Sequence, residues 1–158
     1  MFQPQLQLCK VTSALFISNA RSACTDALIQ QEAVTLCINV SKQQPFPAAP
    51  CVAVLRVPVY DDPNEDLYRY FDSCADLIQD EASKGGHTVV YCKNGRSRSA
   101  AICMAYLMKY RKLSLSDAFT KVRTSRSVVD PNSGFLAQLE KYEQELKKRQ
   151  EEVNKVST

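Results

Sequence analysis

The sequence predicts an α/β domain, because apolar runs of strand length alternate with segments of helical spacing. Three such runs, VTLCINV, VAVLRVPV and HTVVYC, are typical of strands that are buried on both faces of a parallel sheet. The segments between and after them repeat apolar residues at the spacing of amphipathic helices. Strands that alternate with helices favour a mainly parallel sheet covered by helices.

The N-terminal half begins with VTSALFISN, residues 11–19, which predicts β structure. RSACTDALIQQEA predicts a helix, with Asn19 and Ser22 available near its start. SKQQPFPAAP concentrates proline and glutamine and is typical of a surface loop. NEDLYRYFDSCADLIQDEASKGG predicts a second helix, which Gly85 and Gly86 would end.

Three further helices are expected after the strand that ends at Cys92. SAAICMAYLMKYRK is apolar on most sides and predicts a buried helix, whereas LSLSDAFTKVRTS is amphipathic. NSGFLAQLEKYEQELKKRQEE predicts the last helix, in which Glu143 with Lys147 and Glu145 with Arg149 have the i,i+4 spacing of a solvated end. We expect one domain over residues 1–150 and a charged tail at 151–158.

Composition excludes several classes of protein. A chain of 158 residues with 45% apolar and 23% charged residues is typical of one soluble globular domain. A net charge of +3 is too small to indicate a nucleic-acid partner. The N-terminus lacks a secretory pattern, and no segment approaches the roughly 18 apolar residues of a membrane span. A cytoplasmic protein, present also in the nucleus, is expected.

The seven cysteines form an odd set without a CxxC pair, which favours reduced thiols over a disulfide framework. Cys37, Cys51, Cys74 and Cys103 are expected to fill the core or the surface. Cys92 differs, because it ends a predicted strand immediately before a glycine- and arginine-containing loop, VVYCKNGRSRSA. This cysteine is therefore the candidate for chemistry.

The loop after Cys92 has the properties of an anion site. A strand, a tight loop with Gly95 and a helix that starts near Arg98 bring several backbone N–H groups and a helix N-terminus together. Arg98 can add a bidentate contact to two oxygens of a phosphate. The same positive surroundings favour the thiolate form of a cysteine, so the sequence predicts a nucleophile beneath a bound phosphate.

Cys92, five intervening residues and Arg98, followed by Ser99, resemble the Cys-x5-Arg phosphate loop of the cysteine-dependent protein tyrosine phosphatase superfamily. GRSRSA followed by AYLM is similar to its dual-specificity branch, and to the small atypical members in particular. VTLCINV, VPVYDDP, the loop, AYLM and PNSGFLAQL occur in that family's order over nearly the whole chain. The resemblance implies a central mixed, mostly parallel sheet flanked by helices.

The resemblance also implies roles for individual residues. Phosphate would leave a protein side chain in two steps, through a phosphocysteine on Cys92, with Ser99 stabilising the departing thiolate. The general acid would come from VPVYDDP, where Asp61 is favoured over Asp62 by its distance after Val57, although both remain candidates. No metal or cofactor is required. The phosphate would be held by Lys93, Asn94, Gly95, Arg96, Ser97 and Arg98.

The chain departs from the family pattern at Tyr91, where the family normally has histidine before the nucleophile. A phenol can hydrogen-bond, but it carries no positive charge at neutral pH, so Tyr91 is expected to tune activity downward. We therefore expect a phosphatase that acts on proteins phosphorylated on tyrosine and on serine or threonine. The sequence does not determine which of these residues is preferred. A phosphate-binding module with little turnover, and a phosphatase for a non-protein phosphate, remain alternatives.

Two further expectations concern the surroundings of the site, and a third concerns the oligomeric state. Asn132 is expected to cap the last helix, so that PNSGF supports the site without taking part in catalysis. His87 is expected to be structural, because it opens the strand at the end away from Cys92. A monomer is expected, although the sequence does not determine the oligomeric state.

Overall fold

The computed structural model describes residues 6–156 and contains a five-stranded sheet of order β1-β2-β5-β3-β4. Strand β1 is antiparallel to β2, and the other neighbouring strands are parallel. The predicted α/β fold with a mixed, mostly parallel sheet is therefore confirmed. The strands are β1 Cys9–Thr12, β2 Leu15–Asn19, β3 Leu36–Asn39, β4 Ala53–Arg56 and β5 Thr88–Cys92.

The β structure predicted near the N-terminus is confirmed, and it has the form of a hairpin. β1 and β2 are joined by a tight turn in which the backbone N–H of Ala14 donates to Oγ1 of Thr12 at 3.2 Å. The single helix predicted next is divided into two short helices, α1 Ala20–Ala23 and α2 Asp26–Gln31. Asn19 caps α1, because its Oδ1 accepts a hydrogen bond from the N–H of Ser22 at 2.8 Å.

Strand β4 lies at the edge of the sheet, where β3 is its one partner among residues 6–156. The expectation that this strand is buried on both faces is wrong, because Val54 has 50% of its surface exposed. An edge strand has one neighbour and incomplete cover, so an apolar composition does not by itself ensure burial. The run VTLCINV is instead buried throughout its strand, β3, which lies between two neighbours.

The later helices lie close to their predicted positions. Helix α4, Arg98–Tyr110, is the central helix, since every residue from Ser99 to Met108 is buried. Gly85 follows α3 with φ of 82°, the left-handed conformation that ends many helices. A short 3₁₀ helix at Tyr68–Tyr70 precedes α3. The helices are α3 Phe71–Ser83, α4 Arg98–Tyr110, α5 Leu115–Ser125 and α6 Ser133–Val156.

The sheet separates two apolar clusters, since successive side chains of a strand point to opposite faces. Val90 and Cys92 of β5 face the larger cluster, which includes residues of α3, α4, α5 and α6. Val89 and Tyr91 face the smaller cluster, which includes residues of α1 and α2. Cys92 and its neighbour Tyr91 therefore project from opposite faces of the sheet.

Polar contacts at Asp72 fasten the long helix α6 across α3 and α4. Both carboxylate oxygens of Asp72 accept hydrogen bonds from the Arg149 guanidinium at 2.9 Å, and Tyr142 donates to it at 2.6 Å. The Arg149 contact, together with Tyr142 and Lys109, holds the pKa of Asp72 well below its usual range. Arg149 also makes the predicted contact with Glu145, at 2.9 Å. These bonds hold the middle and the C-terminal part of α6 against α3.

Within residues 6–156, no helix combines the length and the apolar character that crossing a bilayer requires. The cysteines of the described chain are all free thiols, as predicted. Cys37, Cys74 and Cys103 are buried, and Cys51 is exposed.

Candidate active site

The predicted phosphate loop lies at one edge of the sheet, where β2, β3 and β5 end. Cys92 is the last residue of β5, and it is paired in register with Asn19, the last residue of β2. Helix α4 begins at Arg98, directly after the loop. The carboxyl edge of a parallel sheet is where α/β proteins bind ligands, because loops and helix N-termini converge there.

Gly95 lets the loop turn tightly against β2. Its φ is 61°, and an added Cβ would lie 2.5 Å from the carbonyl oxygen of Ser18. Both observations exclude an ordinary side chain at this position. The loop is thereby held close to the strand that neighbours Cys92.

The thiol of Cys92 is buried, with 2% of the residue exposed. Its Sγ lies 3.1 Å from Oγ of Ser99, at hydrogen-bonding distance. Ser99 is fully buried in the first turn of α4, so its hydroxyl is held in place. The structure therefore brings the predicted nucleophile and the predicted thiolate partner into contact.

Arg98 joins the phosphate loop to the loop that contains the candidate acids. Its Nη1 donates to the carbonyl oxygen of Val59 at 3.2 Å. Its Nε is buried and has no hydrogen-bond partner among residues 6–156. Buried donors are nearly always paired in folded proteins, and an oxyanion above Cys92 would supply an acceptor for this one.

Asp61 is connected to the phosphate loop, through Asn132. Nδ2 of Asn132 donates to Oδ1 of Asp61 at 2.9 Å, and its backbone N–H donates to Oγ of Ser97 at 2.9 Å. Oδ1 of Asp62 instead accepts from the backbone N–H of Asn64 at 2.8 Å, within its own turn. Of the two candidate acids, Asp61 thus has the contact that leads to the site.

Asn132 also caps α6, as predicted, because its Oδ1 accepts from the N–H of Phe135 at 2.9 Å. The first turn of this helix packs directly on the acid loop. A methyl group at Gly134 would overlap the backbone of Pro63. The cap could be predicted from the sequence, whereas the contact between Asn132 and Asp61 could not.

Tyr91 points away from the thiol, into the smaller cluster, and is fully buried. Its hydroxyl donates to the carbonyl oxygen of Pro45 at 2.8 Å. Asn39 donates to Gln44 O at 2.8 Å in the same loop. Burial raises the pKa of Tyr91, so the phenol stays neutral. Tyr91 therefore anchors residues 41–50 and brings no charge to the loop.

Lys93, Asn94 and Arg96 belong to the loop, so their backbone N–H groups are available to a bound phosphate. Their side chains are exposed, and those of Lys93 and Arg96 place positive charge at the rim of the site. Arg96 lies 3.4 Å from Asp130 in an exposed ion pair. His87 contacts Glu32 O at 2.7 Å, remote from Cys92 as expected. Sequence reasoning missed Arg126, which contacts the loop from the end of α5.

Comparison with known proteins agrees with this geometry. The sequence model of the dual specificity phosphatase catalytic domain matches residues 15–145. The chain is 54% identical to mouse Dual specificity phosphatase 28 over 137 residues, which cover 87% of this chain and 84% of the relative. Identity to human Dual specificity phosphatase 28 is 51% over 139 residues, with 88% and 79% covered.

Solved structures of relatives have the same fold. The crystal structure of human DUSP28 has a TM-score of 0.88 and 49% identity, over 92% of this chain and 97% of that chain. A mouse dual specificity phosphatase complexed with zinc tungstate has a TM-score of 0.90 and 50% identity, over 94% of each chain. With its phosphate loop, its thiol and its fold in agreement, the chain belongs to the dual specificity phosphatases, which are cysteine-dependent protein phosphatases.

Proposed function

We propose that the protein hydrolyses phosphotyrosine and phosphoserine or phosphothreonine in proteins, through a phosphocysteine on Cys92. The observation that carries the proposal is that the loop which begins at the buried Cys92 ends at Arg98, whose buried Nε lacks a partner among residues 6–156. In the first step the Cys92 thiolate attacks phosphorus and the bond to the substrate oxygen breaks. Asp61 gives its proton to that oxygen, and Arg98 with the loop N–H groups holds the other phosphate oxygens.

In the second step a water molecule attacks the phosphocysteine. The Asp61 carboxylate accepts a proton from the water, the sulfur–phosphorus bond breaks, and inorganic phosphate leaves. The contact of 3.1 Å between Ser99 and Cys92 supports a role for the serine hydroxyl in stabilising the departing thiolate. Basic Lys93 and Arg96 at the rim favour acidic surroundings of the phosphorylated residue.

Replacing Ser99 by alanine tests the two-step mechanism. We expect the second step to slow by about 10- to 100-fold, because the leaving thiolate loses a hydrogen-bond donor. Rapid mixing with an aryl phosphate should then release a burst of the phenol, and labelled phosphate should remain on the peptide that contains Cys92. The matched double variant, Ser99→Ala with Cys51→Ser, is altered also at an exposed cysteine and should retain the label. Slower turnover without a burst or a labelled cysteine would contradict a phosphocysteine intermediate.

We further propose that Tyr91 limits activity, because it takes the place of a histidine without supplying positive charge to the loop. Tyr91→His is expected to increase kcat by about 10- to 100-fold. Changes in residues that support a reactive group without touching the substrate typically alter rates by this factor. Steady-state assays across pH measure this change. An unchanged or slower enzyme would remove the proposal.

The variant Tyr91→Phe is the matched control, since it keeps the ring and removes only the hydrogen bond to Pro45. If Tyr91→Phe accelerates the enzyme as much as Tyr91→His, anchoring of residues 41–50 is the cause and the absence of a charged imidazole is not. Because Tyr91 supplies no positive charge to the loop, it also favours the second candidate function, a module that binds phosphorylated proteins with little turnover.

A further inference from the structure

Arg126 contacts two consecutive carbonyl groups of the phosphate loop. Its Nε donates to the carbonyl oxygen of Gly95 at 2.8 Å, and its Nη2 donates to that of Asn94 at 2.9 Å. Arg126 directly follows α5, far along the chain from Cys92. A guanidinium can make two such bonds at once because its donors have a fixed planar arrangement.

The neighbouring carbonyl groups of the loop are bonded from outside as well. Lys93 O accepts from the backbone N–H of Ala20 at 3.3 Å, and Arg96 O accepts from that of Asp130 at 2.8 Å. Every carbonyl group from Lys93 to Arg96 thus has a donor that lies outside the loop. Outward carbonyl groups leave the backbone N–H groups free to surround an oxyanion.

We propose that Arg126 is a positioning residue that holds the phosphate loop in its oxyanion-binding conformation; this inference rests on the proposed function. The peptide units that follow Asn94 and Gly95 can rotate readily, because Gly95 tolerates many backbone conformations. A rotated unit would direct a carbonyl oxygen at the phosphate and withdraw an N–H. Arg126 opposes that rotation with two charge-assisted hydrogen bonds.

The guanidinium also confines Gly95 sterically. A Cβ on Gly95 would lie 2.8 Å from Nε of Arg126 and 2.5 Å from Ser18 O, so Arg126 and β2 enclose the glycine from two sides. The third nitrogen of Arg126, Nη1, lies 3.7 Å from Sγ of Cys9, in β1. Arg126 therefore connects the hairpin, the end of α5 and the phosphate loop.

The test compares Arg126→Ala and Arg126→Lys with Arg123→Ala. Arg123 is exposed one turn earlier on α5 and lies over Phe119, so its loss removes the same charge without touching the loop. Calorimetric titration with tungstate measures oxyanion affinity without turnover, and thermal unfolding measures stability. Kinetics with an aryl phosphate separate kcat from KM.

We expect Arg126→Ala to weaken tungstate binding and to lower kcat/KM by about 10- to 100-fold each, since two charge-assisted bonds are lost. Arg126→Lys should fall between it and the wild type, because an ammonium provides no planar pair of donors. Arg123→Ala should stay within about twofold of the wild type, as expected for an exposed charge. Added ethylguanidinium, and not ethylammonium, should partly restore tungstate affinity to Arg126→Ala.

Unchanged tungstate affinity in Arg126→Ala would overturn the proposal. So would a loss of affinity that ethylguanidinium does not restore and that is matched by a loss of thermal stability, since that pattern indicates general destabilisation. If Cys92 forms no phosphocysteine but Arg126→Ala still weakens tungstate binding as described, the proposed function fails while the positioning role of Arg126 stands.

Discussion

Replacing Cys92 by serine is expected to lower turnover by at least about 10⁴-fold, because a serine hydroxyl stays protonated at neutral pH and is a far weaker nucleophile than a thiolate. Oxyanion binding should persist, since Arg98 and the loop N–H groups remain. Serine is close to cysteine in size and can keep the contact with Ser99. Phosphatase assays and tungstate titration of one preparation measure both properties.

The Cys92→Ser protein also separates the two candidate functions. An enzyme loses turnover and continues to bind a phosphopeptide, whereas a binding module with trace activity behaves the same before and after the change. Cys51→Ser is the control, because Cys51 is exposed and lies outside the loop. Residual activity equal to that of the wild type would sink the phosphocysteine mechanism.

The second large effect is expected for Asp61→Asn, which removes the proton donor and keeps the shape of the side chain. With phosphoserine or an alkyl phosphate, kcat/KM should fall by about 10²- to 10⁴-fold, because these leaving oxygens require a proton. With an activated aryl phosphate the loss should be much smaller, since that leaving group departs as an anion.

Asp62→Asn is the matched control for the general acid. The carboxylate of Asp62 bonds the backbone of Asn64, whereas that of Asp61 bonds Asn132, which in turn contacts Ser97. We therefore expect Asp62→Asn to lower the rate only slightly and without dependence on the leaving group. If the leaving-group pattern follows Asp62 instead, the assignment of Asp61 is wrong.

The fold and the phosphate loop could be read from local patterns. An apolar run predicts a strand from its own residues, without information about which strands lie beside it. The order of strands and helices then indicates the class of fold. The position of a strand within the sheet cannot be predicted in this way, since β4 is as apolar as β3 but is paired on one side among the described residues. The break between α1 and α2 lies in a short stretch in which the spacing of apolar residues is compatible with a helix and with a nonhelical segment.

The choice between Asp61 and Asp62 shows the same limit within the site. Adjacent carboxylates have nearly identical sequence surroundings, so spacing alone leaves both as candidates. Their contacts in the structure differ, because α6 packs on the acid loop and brings Asn132 to Asp61. Arg126 has no local signal at all, because an arginine at the end of an amphipathic helix is most often a solvated charge.

The sequence by itself determined which candidate site residues lie together because they are close in the chain. Cys92, Gly95, Arg98 and Ser99 belong to one strand–loop–helix segment, and its short connections force them together. Only the tertiary structure decided what surrounds that segment, including the hydrogen bonds that Arg126 donates to the carbonyl oxygens of Asn94 and Gly95. Such contacts join residues that are distant in the chain, and they form because separate loops converge at the same edge of a folded sheet.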